Sequence, residues 1–164
     1  MRTPLASAVL VLLVAACASY DGRGLVPGQS SAAQVEALMG RPAEKLTNAA
    51  GETVWFYPHA PAGRDTFAVR MRPDGVLVAV EQRLTKENVA RVVPGKTTPQ
   101  ELREVLGPPW KIWRSGLQQR DVWDYPMLVD NRLMNFFVQF SDDGIVREAY
   151  LLHDPVYDMP DGRA

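Results

Sequence analysis

The chain holds one cysteine, two histidines and no run of basic residues. A single cysteine excludes a disulfide within the chain. His59, in a Pro-rich stretch, and His153, near the C-terminus, lack partners at metal-ligand spacing, and no Gly-rich phosphate loop occurs. A formal net charge of −1, without a basic patch, gives a nucleic acid nothing to hold. The sequence also lacks the run of about 20 apolar residues that a spanning helix needs. These absences argue against catalysis, a metal or cofactor, and a nucleic-acid partner. Asp74, Asp142 and Asp143 fall in turn sequences, where an aspartate serves the turn before any acid–base chemistry.

What is present begins with a leader. Arg2 precedes an apolar stretch from Leu5 to Ala16, and Val14-Ala15-Ala16-Cys17 places small residues directly before the cysteine. This pattern predicts a cleaved export signal over residues 1–16. The bland reading is an ordinary signal peptide with an incidental cysteine, but an unpaired thiol in an exported protein needs a reason. The segment resembles the bacterial lipobox. That resemblance implies that Cys17 carries acyl chains as the mature N-terminus, which is firm anchoring because several chains share one residue. Ala18 stands where an inner-membrane retention signal would place Asp, so the resemblance implies the outer membrane; a periplasm-facing body is the expectation, with exposure on the outer surface left open by the sequence.

The rest of the chain is written twice. "VPGQSSAAQVEALMGRP" from Val26 returns as "VPGKTTPQELREVLGPP" from Val93. Val54-Trp55-Phe56-Tyr57-Pro58 returns as Val122-Trp123-Asp124-Tyr125-Pro126, and Phe67-Ala68-Val69 as Phe136-Phe137-Val138. Asp74-Gly75 returns as Asp143-Gly144. Landmarks in one order at one spacing indicate an internal duplication. The expected organisation is a tether over 17–25, a first repeat over 26–84, a second over 85–153 and a flexible tail over 154–164.

Each repeat has one physical logic. Ser31…Gln34 and Thr98…Glu101 have the capping-box form. Val35, Leu38 and Met39, like Leu102, Val105 and Leu106, recur at helical spacing, and Gly40 and Gly107 stop the helices ahead of proline. In the second repeat Val89, Val92 and Val93 predict a preceding short helix; the first repeat lacks it or builds a poorer one. The period then changes to two, with Trp55 and Tyr57, Trp123 and Tyr125, Phe67 and Val69, and Phe136 and Val138 predicted on buried strand faces. A shorter strand is expected near Ala43–Thr47 and Trp110–Arg114. The fold class is therefore α+β: two tandem repeats, each a short helical hairpin packed on an antiparallel meander of three to four strands.

At these landmarks the chain resembles the SmpA/OmlA, or BamE-like, lipoprotein family. The features are the lipobox cysteine, Gly before a hydroxyl-capped helix, the Gly-x-Pro stop, the Trp-x-Tyr strand and the Asp-Gly turn. The tandem arrangement resembles the two-repeat β-lactamase inhibitory protein fold. The family implies a lipid-anchored, protein-binding adaptor or scaffold that is an accessory of outer-membrane β-barrel assembly. The tandem fold implies the alternative, a periplasmic inhibitor-like binder of an enzyme using a concave sheet surface. Either partner should meet strand faces turned away from the helices. With the Trp-x-Tyr residues inward, Phe56, Arg70, Arg72, Asp124, Phe137 and Gln139 point outward, a set rich in the aromatic and arginine types of binding hot spots. Trp110 and Ile112 fall opposite Trp113, which aligns with Leu46 and is assigned to the core. Packing of Phe137 and Trp110 in a seam between the repeats, and a solvated face for Arg70 and Arg72, remain open. The sequence leaves oligomeric state open as well.

Overall fold

The computed structural model describes residues 19–154; Cys17, the leader and residues 155–164 lie outside the described residues. The first unit contains α1 (Ala32–Met39), β1 (Glu44–Thr47), β2 (Thr53–Pro58), β3 (Thr66–Met71) and β4 (Leu77–Gln82). The second contains α2 (Lys86–Val89), α3 (Pro99–Leu106), β5 (Lys111–Ser115), β6 (Arg120–Val129), β7 (Arg132–Phe140) and β8 (Val146–His153). Each unit forms one four-stranded antiparallel sheet in sequential order. The fold is α+β with a repeated sheet unit.

The duplication is visible bond by bond. Ser31 and Thr98 both cap eight-residue helices through complete capping boxes. Both helices are too short to persist alone and are held by packing. Gly28 and Gly95 N–H donate to the Leu77 and Val146 carbonyls, each at 2.8 Å. The Tyr57 and Tyr125 hydroxyls donate to the Gly40 and Gly107 carbonyls, each at 3.2 Å. These bonds satisfy an acceptor at the end of each helix and tie that end to the second strand of its sheet. Even the strand irregularity recurs, between Arg70 and Met71 and between Gln139 and Phe140. The helical hairpin expected in both repeats is present only in part. The one-turn α2 precedes α3, whereas α1 has no such partner among the described residues.

Alternation fixes which face of each sheet meets its helix. Val35 and Met39 pack with Trp55, Tyr57, Val69, Met71 and Leu77. Leu102 and Leu106 pack with Trp123, Tyr125, Met127, Phe136, Val138 and Phe140. The second face of the first sheet is covered as well. Val54, Phe56 and Ala68 are buried there, and Phe56 and Thr66 crowd Gly107 at the end of α3. Arg103 on α3 also donates to Glu44 on β1 at 2.6 Å. The layers therefore run α1, first sheet, α3, second sheet. Among the described residues no helix lies over the far face of the second sheet.

Two expected boundaries shift. Residues Ser19–Leu25 do not trail: Ser19 N–H donates to the Leu38 carbonyl, Gly22 lies against Val80 and Leu25 joins the first core. At the other end Asp154, expected to open a flexible tail, is buried and paired with Arg64. A buried ion pair holds the backbone where composition alone suggests fraying.

Candidate partner-binding face

The helix-free face of the second sheet is built by strict alternation. Register places Lys111, Asp124, Phe137 and Tyr150 in one cross-strand row. Trp113, Val122, Gln139 and Glu148 form the next. Trp113 meets Phe137 edge to face at 5.9 Å, and Phe137 meets Tyr150 at the same distance. Both are separations at which aromatic rings attract. The Tyr150 hydroxyl accepts from Gln139 at 2.9 Å, and Arg120 bridges Gln139 and Glu148. The result is an aromatic strip on a rigid sheet, bordered by fixed polar groups.

Here the core assignment of Trp113 is corrected. Pairing with β6 sets Trp113 beside Val122 and Ile112 beside Trp123, so Trp113 lies on the open face and is 42% exposed. Ile112 lies on the helix side, yet it is 51% exposed because it sits on the edge strand. Trp110 is also exposed at this edge, with the Lys111 ammonium 3.8 Å above its ring.

The other expected surface residues are dispersed. Phe56 points away from its own helix, but α3 covers that face and leaves it 0% exposed; it is a seam residue. Arg70 lies on the same covered face, donating to Glu52 and Glu81 at 2.9 Å each. Arg72 is solvated and paired with Asp74 in the turn. Phe137 is half-buried on the open face, while Asp124 and Gln139 lie beneath it, each 4% exposed.

Asp124 is the electrostatic oddity. Its Oδ2 accepts from Asn135 at 3.4 Å, and its Oδ1 has no partner among the described residues. Burial raises its pKa to about 6 against the opposing pull of Lys111 and Arg64, with Asp154 adding to the rise. Between 3.8 and 6 the native carboxyl keeps a proton that the unfolded chain gives up. Asp124 therefore makes stability fall as pH rises through that window. Asp124→Asn should remove this slope, giving a variant that gains on the order of 2–3 kcal/mol relative to the parent between pH 4 and pH 7. Urea midpoints of both proteins at the two pH values measure it; a constant difference would mean that Asp124 titrates alike in the folded and unfolded chain.

Tyr150 and the Arg64–Asn135–Asp154 contact are parts of this face that sequence reasoning missed. The alternation of Glu148, Tyr150 and Leu152 against Ala149 and Leu151 contains the signal for Tyr150. No local signal joins Arg64 to Asn135 and Asp154, which lie in the other repeat.

A separate cleft of about 460 Å³ lies where the second unit meets Asn48 and Arg83. Arg83, Arg91 and Lys96 share its lining with Glu101 and Glu104, so its charges largely offset. Among the described residues no group of His, Cys, Asp and Glu is arranged for a metal, and no helix is long and apolar enough to cross a membrane.

Scans against protein-family models and curated proteins find no match. Among solved structures the chain is similar to a DUF4309 family protein (YjgB) from Bacillus subtilis. The two are 16% identical with a TM-score of 0.32, over 80% of this chain and 84% of that one. A likeness so slight bears on neither activity nor partner.

Proposed function

We propose that the protein is an outer-membrane lipoprotein, anchored through acylated Cys17, whose folded body is a protein-binding adaptor accessory to β-barrel assembly. The observation that carries the adaptor reading is the helix-free face of the second sheet, where Trp113, Phe137 and Tyr150 form an aromatic strip on paired strands. Aromatic residues on a rigid surface lose little side-chain freedom on binding and are enriched in interface hot spots. The SmpA/OmlA resemblance supplies the membrane anchor and the class of partner. The inhibitor-like alternative calls for a concave surface shared by both sheets. The covered second face of the first sheet favours the adaptor.

Affinity capture from gently solubilised outer membranes tests the reading, with the parent, Trp113→Ala with Phe137→Ala, and Cys17→Ser run side by side. Recovery of barrel-assembly components by the parent alone supports it. Capture of a soluble periplasmic enzyme by both the parent and Cys17→Ser supports the inhibitor instead. Cys17→Ser should leave the membrane fraction with unchanged thermal unfolding, since the first described residue, Ser19, is already held by the body. Retention of that variant in the membrane overturns the anchor.

A further inference from the structure

We infer that the end of the molecule bearing the β2–β3 loop is a membrane-facing surface seated on lipid headgroups. This orientation rests on acylation of Cys17 and goes beyond it. The argument is the length of the leash. Ser19 follows Cys17 by two residues and is fixed in place. Its N–H donates to the Leu38 carbonyl at 3.1 Å and its hydroxyl to Asp21 at 2.7 Å. The next ring, Tyr20, stacks on His59 of the β2–β3 loop with centroids 4.4 Å apart. Two residues span at most about 7 Å, less than the width of one helix. An acylated Cys17 thus cannot suspend the body above the bilayer and leaves it resting on the end where Ser19 is held.

Topology defines that end. α1 starts beside the β3–β4 turn, where Ala32 N–H donates to the Gly75 carbonyl. It finishes beside Tyr57, whose hydroxyl reaches Gly40. The C-terminus of α1 and the β2–β3 loop are therefore together, opposite the Asp74-Gly75 turn. The β6–β7 hairpin shares their end. Arg64 donates to Asn135 on β7, and Asp65 lines one hollow with Leu128, Val129 and Asp130. This end exposes Tyr20 and Leu128, at 47% and 48%, together with the Arg23–Asp21 and Lys86–Asp130 ion pairs. A half-exposed tyrosine, an aliphatic side chain and ion-paired groups of both signs suit the boundary between zwitterionic headgroups and acyl chains. The opposite end carries the β5–β6 turn with Leu117 fully exposed and the Asp143-Gly144 turn. Trp113, two residues from the end of β5, stands toward that distal side, clear of the bilayer.

The full-length lipoprotein, expressed in a Gram-negative envelope and purified, would be reconstituted in phosphatidylethanolamine–phosphatidylglycerol vesicles. Hydroxyl-radical footprinting read by mass spectrometry would compare it with Cys17→Ser mixed with the same vesicles. The expected result is a severalfold loss of oxidation at Tyr20 and Leu128 in the anchored protein, with Leu117 unchanged. Equal oxidation of Tyr20 and Leu128 in both samples, or protection of Leu117, overturns the orientation. The mass of the N-terminal peptide separates the two layers of the argument. An unacylated Cys17 overturns anchor and orientation together, whereas an acylated Cys17 with the wrong footprint overturns the orientation alone.

Discussion

Gly107→Ala should cost the protein substantially more stability than Gly40→Ala, although the two glycines occupy the same position in the two repeats. Both close a helix with nearly identical backbone angles, φ 84° and ψ −169° at Gly107, φ 79° and ψ −166° at Gly40. That region is essentially reserved for glycine, and forcing a side chain into it costs of order 1–3 kcal/mol. Their surroundings differ. A Cβ at Gly40 meets nothing within 4 Å, whereas at Gly107 it falls 2.8 Å from Phe56 Cδ1 and 3.0 Å from Thr66 Cγ2. Phe56 is fully buried between the first sheet and α3, so relief requires the layers to part. Overpacking of this kind adds about 1–3 kcal/mol. Urea unfolding of the two variants measures the difference. Phe56→Leu in the Gly107→Ala background should recover part of the excess and none in the Gly40→Ala background. Equal losses would mean that α3 does not press on the first sheet.

This asymmetry explains why the sequence discloses the repeat better than the whole. Caps, stops, strand periods and turn dipeptides are local, and each was legible in the residues: Ser31 with Gln34, Gly107 before Pro108, Trp123 alternating with Asp124. What a face meets once two units pack is not local. Phe56 and Phe137 stand at comparable outward positions, yet α3 buries the first and leaves the second beside open solvent. Trp113 misled for the same reason. An edge strand has a neighbour on one side only, so a large apolar residue on it need not mark the core, and pairing with β6 decides its direction. The tether and Asp154 misled because polar composition suggests mobility, while a stacked Tyr20 and a buried Arg64–Asp154 pair hold them down. Strand alternation foretold the direction of Asp124, Phe137 and Gln139, but not that Asp124 and Gln139 are buried on that face, each 4% exposed.

Trp123→Ala should destabilise by about 3–5 kcal/mol, the range for truncating a large buried aromatic, whereas Trp113→Ala on the same sheet should change stability by well under 1 kcal/mol. Trp123 is 7% exposed, meets Phe140 at 4.9 Å and lies beneath the Arg103 guanidinium at 4.8 Å. Arg103 is also the α3 residue that reaches Glu44 across the layers. The indole thus supports the second core from inside and steadies the cation that ties that core to the first sheet. Its loss should lower the urea midpoint with little change in slope, because both variants expose similar surface on unfolding. Trp113 packs edge to face against Phe137 and is 42% exposed. Its removal should act on partner capture and leave folding nearly intact. The pair of substitutions separates the two faces of one sheet: a large stability loss at Trp113 with a neutral Trp123 would place the open face on the other side.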